Sequence, residues 1–317
     1  MKSQGQFNFA WIFALIVGGS ILVLAIYGAV SAGNTQREIT DTKIARSFSI
    51  ITDPLQAGFS DGSYDDVEFG DVTRLNNYCF DIGFGSNKIS ISTRSDILSE
   101  WNPPGVETSI ENKYIFSKEN SEGKIYHSFS KPFYFPYKVS DLIFLSPDEY
   151  CFVSAPEHII EEVGIAKNIN VDIGCEDDEN LIKVCFGSGS GSKSNCDMNV
   201  YGSCRTSSCN SIYDEGTVSK KGSELKYVSS LMYGAIFADE EMYTCNVNRL
   251  LYRTGRIAEV LSKKADLMNR RGCNTNLRSE IAIYGERVID SSYKDLQSID
   301  YFEIDRQNDL EVCGLWN

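Results

Sequence analysis

Histidine is nearly absent: His127 and His158 are the only two in 317 residues. Most zinc and acid–base sites draw on imidazole, so the commonest metal and general-base chemistries lose their usual ligand. A basic excess is absent too. The chain has 30 Lys and Arg against 44 Asp and Glu, a formal charge of −14. Without a basic stripe to neutralise phosphates, nucleic acid is not an expected partner. No two of the ten cysteines stand at CxxC spacing, which argues against four-thiolate zinc sites, since these normally need two tight pairs. No Asn-x-Ser/Thr acceptor occurs, so N-glycosylation is not expected. Neither histidine has a serine or cysteine at a signature spacing. These absences predict no enzyme, no cofactor and no metal.

Charge is also missing from Ser3 to Gln36, and Phe9 to Val30 is almost wholly apolar, with Ser20 and Tyr27 as its only hydroxyls. A helix of that length is roughly 33 Å long and crosses a hydrocarbon core of about 30 Å with modest tilt. Phe7, Phe9 and Trp11 at one end and Tyr27 at the other suit the headgroup level. A single transmembrane helix is therefore predicted, with the lipid bilayer as its partner. The rival is a cleaved secretory signal, because Val30-Ser31-Ala32 offers the small residues that signal peptidase accepts. The run exceeds the roughly 7–15 apolar residues of an ordinary signal, which favours retention.

Flanking charge does not orient the helix: Lys2 lies on one side and Arg37, Lys43 and Arg46 on the other. Cysteine usage does. The even, scattered set Cys79, Cys151, Cys175, Cys185, Cys196, Cys204, Cys209, Cys245, Cys273 and Cys313 reads as disulfides formed in an oxidising compartment. Residues 34–317 are accordingly expected outside the cytoplasm. Within the apolar segment, Ala10, Ala14, Gly18, Ala25, Gly28, Ala29 and Ala32 fall within about 100° of arc at helical spacing. Small faces let membrane helices approach closely, so Ala10, Ala14, Gly18, Ala25 and Ala29 are candidates for self-association.

The opening Lys2-Ser3-Gln4-Gly5-Gln6-Phe7, followed at once by the apolar helix, resembles the class III signal of archaeal type IV pilin-like proteins. The resemblance implies cleavage between Gly5 and Gln6, leaving the helix as anchor and assembly element. Gln4 stands where that family usually has a base, and Ala10 where many members keep an acid. Gln6 to Gly28 also resembles the anchors of surface proteins from small-genome archaea.

Beyond the membrane, Thr35-Gln36-Arg37-Glu38 fits a capping box, and Ile39, Ile44, Phe48, Ile51 and Leu55 recur near helical spacing. An amphipathic helix is expected until Asp53-Pro54 ends or kinks it. Residues 58–72, with Asp61, Asp65, Asp66 and Glu68, read as a solvated acidic loop; the alternative is a calcium site. Strands are expected at about 72–80 and 88–93, followed by a turn at Asn102-Pro103-Pro104-Gly105. A hairpin is expected to join Tyr114-Ile115-Phe116 to Ile125-Tyr126-His127. Pro132-Phe133-Tyr134-Phe135-Pro136-Tyr137 reads as a core or edge strand, with a sugar-stacking platform as the alternative. Strands at Asp141–Ser146, Tyr150–Ser154 and Asn168–Ile173, with a helix at Pro156–Gly164, argue for a mixed α+β head.

His158, Glu161 and Glu162 share a helix face and read as surface charges rather than a metal site. Gly187-Ser188-Gly189-Ser190-Gly191-Ser192-Lys193-Ser194 nearly matches a phosphate-cradling loop. Ser192 replaces the required Gly and no helix follows, so a flexible hairpin tip is expected.

The clearest soluble element runs from about Asp239 to Arg271, with acids at its start, Arg270 and Arg271 at its end and Gly272 beyond. Val247, Leu250, Ile257, Leu261, Ala265 and Met268 form its apolar stripe. Arg249, Arg253, Arg256, Lys263 and Lys264 read as its solvated face. Cys245 and Cys273 are about 42 Å apart along a straight helix, too far for a disulfide. Cys273 with Cys313 is suggested instead, fastening the tail across a second helix at Leu277–Val288.

The expected organisation is a tail and transmembrane helix over 1–33, a juxtamembrane amphipathic helix over 34–57 and a disulfide-stabilised α+β head over 58–317. The expected role is structural, adhesive or binding, on the cell surface. A pilin-like filament subunit is the alternative and an ectoenzyme the third reading.

Overall fold

A computed structural model describes residues 11–28, 63–94, 100–171, 174–187, 196–203 and 213–316. The class III signal, Ala10, Ala29, Ala32, the juxtamembrane helix, the loop at 188–194, Cys204 and Cys209 lie outside the described residues.

Helix α1 spans Trp11–Gly28 and none of it is buried. A side chain built at Gly18 or Gly28 would touch nothing. The Ser20 hydroxyl donates to Ile16 O at 2.8 Å, which satisfies the one hydroxyl in the middle of an apolar helix. At about 27 Å, this helix is long and apolar enough to cross a membrane, a description that a signal sequence near the N-terminus can also meet.

The rest is mixed α+β, built on two six-stranded sheets. The first contains β1 (Ser63–Phe80), β2 (Ser86–Thr93), β3 (Thr108–Glu111), β4 (Tyr114–Phe116), β5 (Asn120–Tyr134) and β6 (Lys138–Ser146), in the order β3-β2-β1-β5-β6-β4. The second contains β7 (Tyr150–Val153), β8 (Ile169–Asn170), β9 (Ile182–Gly187), β10 (Met198–Ser203), β11 (Glu215–Lys220) and β12 (Ser223–Val228), in the order β12-β11-β10-β9-β7-β8.

Three expectations are corrected by strand pairing. Residues 63–72 are strand rather than acidic loop: Val67 and Phe69 alternate inward into an apolar cluster while Asp65 and Glu68 face water. Pairing with β5 outweighs the local excess of acids. Tyr114–Phe116 does not form a hairpin with Ile125–His127. It pairs parallel with β6, whereas β5 pairs antiparallel with β1 and β6. All three β4 residues are buried although β4 is the edge strand beside β6: Tyr114 and Phe116 enter the larger apolar core and Ile115 the smaller one, so both faces of the strand are covered. β9 and β10 are parallel, so the Gly/Ser segment between them does not join them as a hairpin tip.

The helices of the head are α2 (Glu157–Val163), α3 (Leu231–Phe237), α4 (Glu240–Arg270), α5 (Leu277–Ile289) and α6 (Phe302–Leu310). One apolar core draws on β4–β6, β7, β9–β12 and α3–α5, including Phe116, Phe144, Phe186, Val218, Tyr243 and Ile281. All seven residues of α3 are buried. Helices α4 and α5 cross where Gly255 meets Gly285: a Cβ on Gly255 would come within 2.6 Å of Gly285 O, and one on Gly285 within 2.7 Å of Ala258 Cβ.

Helix α4 follows its expected bounds, and Val247, Leu250 and Ala265 are buried. Its basic face needs correction. Lys263 and Lys264 are exposed and Arg253 and Arg256 half-buried, but Arg249 is 0% exposed. Its guanidinium donates to Phe84 O at 3.0 Å, Asn87 Oδ1 at 2.6 Å, Asn246 Oδ1 at 2.7 Å and Lys113 O at 3.0 Å. It also lies 4.6 Å above the Tyr114 ring. The N-terminal half of α4 is enclosed by the first sheet as well as by the apolar core, so its buried arc is wider than a single apolar stripe. Burial lowers the Arg249 pKa to about 10.

Among the described residues four cysteine pairs close the head: Cys79–Cys245, Cys151–Cys175, Cys185–Cys196 and Cys273–Cys313. The last is the pairing suggested by the sequence, and Cys245 and Cys273 each tie α4 to a different element.

Candidate functional site

The aromatic run at the end of β5 begins the site. Phe133, Phe135 and Tyr137 turn inward: Phe133 and Phe135 stack at 5.7 Å, and Tyr137 donates its hydroxyl to Thr254 O at 2.5 Å. Strand alternation sends Tyr134 the other way, and it is 44% exposed. The run is therefore core, as expected, with one ring turned to solvent.

Helix α2 follows β7. Ile159 and Val163 anchor its inner face, which turns His158, Glu161 and Glu162 outward. Helix α3, after β12, brings Tyr233 to the same place. The Tyr233 hydroxyl donates to Glu162 Oε2 at 2.5 Å, and Lys131 Nζ reaches Glu162 Oε1 at 2.5 Å. The Glu162 carbonyl accepts from Tyr64 of β1 at 2.7 Å. Glu162 thus joins β1, β5, α2 and α3. Burial, together with the Glu162 charge, raises the Tyr233 pKa well above its usual value, so the phenol stays protonated and keeps donating.

These elements enclose a cleft of about 520 Å³ lined by Lys131, Tyr134, His158, Glu161, Glu162 and Ser229, among others. That volume is within the range of about 300–1,000 Å³ usual for small-molecule sites. Ser229 sits between β12 and α3 with φ 51°. A left-handed serine there costs on the order of 1 kcal/mol. Its N–H donates to Asp214 O at 2.7 Å, and the adjoining Ser230 hydroxyl donates to Pro132 O at 2.9 Å. The wall is fixed by bonds within the protein before any ligand arrives. Among the described residues no three His, Cys, Asp or Glu side chains gather to hold a metal ion.

His127 lies elsewhere. Its Nδ1 is 2.8 Å from Asp66 Oδ1, and Lys167 Nζ is 2.5 Å from Asp66 Oδ2. Burial opposes ionisation of Asp66, but the bonds from Lys167 and His127 prevail and hold its carboxyl below the usual range. The arrangement ties β1 to β5 and to the segment before β8.

A second cleft, of about 360 Å³, contains Lys220 and Asp239. Lys220 Nζ donates to Ala235 O at 2.7 Å and to Ala238 O, closing the C-terminal end of α3. Burial lowers its pKa to about 8.

Sequence reasoning singled out His158, Glu161, Glu162 and the aromatic run separately. It missed Lys131, Tyr233 and Ser229 as their neighbours. Tyr233 is 71 residues from Glu162, and no spacing rule links them. The chain matches no protein-family model, no curated protein and no solved structure.

Proposed function

We propose that the chain is a single-pass, membrane-anchored surface protein whose head lies outside the cytoplasm and acts in binding or adhesion through the cleft between β5, α2 and α3. The observation that carries this reading is the contrast between α1, apolar and unburied throughout, and a head whose described cysteines are all joined in disulfides. An exposed apolar helix needs lipid as its solvent, and disulfides persist where thiols oxidise. Ala14, Gly18 and Ala25 form the small-residue face of α1 through which two copies associate.

The test is fractionation of native membranes with thiol alkylation. The chain is expected to resist alkaline carbonate extraction, to be shaved from intact cells by protease, and to take up no alkylating reagent before reduction. Extraction with the soluble fraction, or free thiols throughout, would overturn the reading. Sequencing the mature N-terminus separates the fates of the anchor: a start at Gly33 means a released head, and a start at Gln6 with filaments means a pilin-like subunit.

A further inference from the structure

We propose that the cleft between β5, α2 and α3 binds a neutral saccharide, with Tyr134 as the surface on which a sugar ring stacks. This rests on reading the cleft as a binding site and is independent of the anchor.

The lining holds one lysine against three acids, Glu161, Glu162 and Asp214, which repels phosphates and other anions. The Glu162 charge is already balanced: both its oxygens accept bonds from the protein, one from Lys131 and one from Tyr233. Asp214, His158 and Tyr213 also have partners within the chain. At Glu162 a cationic ligand would have to compete with Lys131, losing a short ion pair to gain one, and Glu161, exposed to solvent, offers it only a water-screened partner. A ligand without net charge breaks none of these contacts.

A wholly apolar ligand does not suit a wall of ion pair, hydroxyls and carboxylates, because it would desolvate them without offering bonds. A sugar ring has an apolar C–H face and a rim of hydroxyls that both donate and accept. Tyr134 offers a flat, 44% exposed ring, the only one of the four aromatics in its segment turned to solvent. Lys131, Glu162 and Ser229 offer donors and acceptors in the same cleft. Its 520 Å³ has room for about one or two sugar rings. The bonds that fix Glu162, Ser229 and Ser230 limit the ordering cost of binding.

The experiment is saturation-transfer difference NMR on the full chain in detergent micelles. The probes are cellobiose, N,N′-diacetylchitobiose, mannobiose, a sulfated chondroitin disaccharide and hexalysine. At least one neutral disaccharide is expected to give saturation transfer strongest on its ring C–H protons. Tyr134→Ala should weaken that binding about tenfold, and Tyr134→Phe should change it by less than about twofold. Ser229→Gly, which removes the hydroxyl and suits the positive φ, should weaken it by about threefold or more and needs no exposed ring to fold. Preference for the sulfated or cationic probe would overturn the ligand class while leaving a binding cleft. No binding of any probe by folded wild type, or neutral-sugar binding unchanged in Tyr134→Ala and Ser229→Gly, would overturn the proposal at this site; membrane fractionation judges the anchor separately.

Discussion

The first sheet is fastened to α4 from a distance, through Cys79–Cys245 and the buried Arg249 with its asparagine neighbours. The second sheet is fastened locally: Cys151–Cys175 and Cys185–Cys196 close segments of 24 and 11 residues around its parallel strands. Cys79–Cys245 closes 166. The difference shows two uses of one bond. A long closure removes many unfolded conformations and fixes which helix covers which sheet, whereas a short one steadies a few strands that the core already holds.

That contrast is broken most directly by removing one disulfide of each kind. In the chain-entropy account, Cys79→Ala with Cys245→Ala costs about 5 kcal/mol, and Cys185→Ala with Cys196→Ala about 3 kcal/mol. Thermal unfolding of the detergent-solubilised chain should show the larger fall in Tm for the first pair. Equal falls would mean that closure length does not separate the two sheets.

The polar half of the first fastening is tested by Arg249→Met. This takes the Arg249 donor from the Asn87 and Asn246 oxygens and from two backbone carbonyls, leaving Asn87 Oδ1 only the Ile115 N–H at 3.3 Å, at a cost of roughly 3–5 kcal/mol. Lys263→Met, on the exposed face of the same helix, should stay within about 0.5 kcal/mol. Similar losses for both would return Arg249 to the solvated face.

The smallest effect concerns Lys220, on β11 of the second sheet. Its folded value of about 8 is below its ordinary 10.5. Between these values the unfolded chain binds more protons, so this residue makes stability rise with pH through that window. Below the folded value both states are protonated and the cost of burying the charge is constant. Denaturant titrations from about pH 7 to 8.5 stay below the range in which unfolded tyrosines, near 10, lose their protons. Lys220→Met should remove the rise, and an unchanged slope would assign it to another group.

Much of the helical architecture was legible residue by residue. The acids at Glu240 and Glu241, the bases at Arg270 and Arg271 and the glycine beyond bounded α4 because caps and dipole partners are local. The same local length placed Cys273 too far from Cys245 to bond. The sheets were less legible. Asp65, Asp66 and Glu68 suggested a loop where β1 runs, since composition cannot register that Val67 and Phe69 have a neighbouring strand to face. Arg249 was misread for a related reason: a charge on a helix implies water unless something polar meets it, and three of its four acceptors come from Phe84, Asn87 and Lys113, more than 130 positions away along the chain.

The cleft was legible only as scattered parts. The order of residues was enough to specify an uncharged apolar helix, a cysteine set without metal spacing, and the extent of α4 and α5, because these depend on neighbours within a few turns. Docking of distant elements was needed to choose the strand partners, bury Arg249, leave Tyr134 alone facing outward and bring Lys131 and Tyr233 onto Glu162. Such choices follow from which surfaces cover each other in the packed core, a property of pairs far apart in the chain that no local pattern encodes.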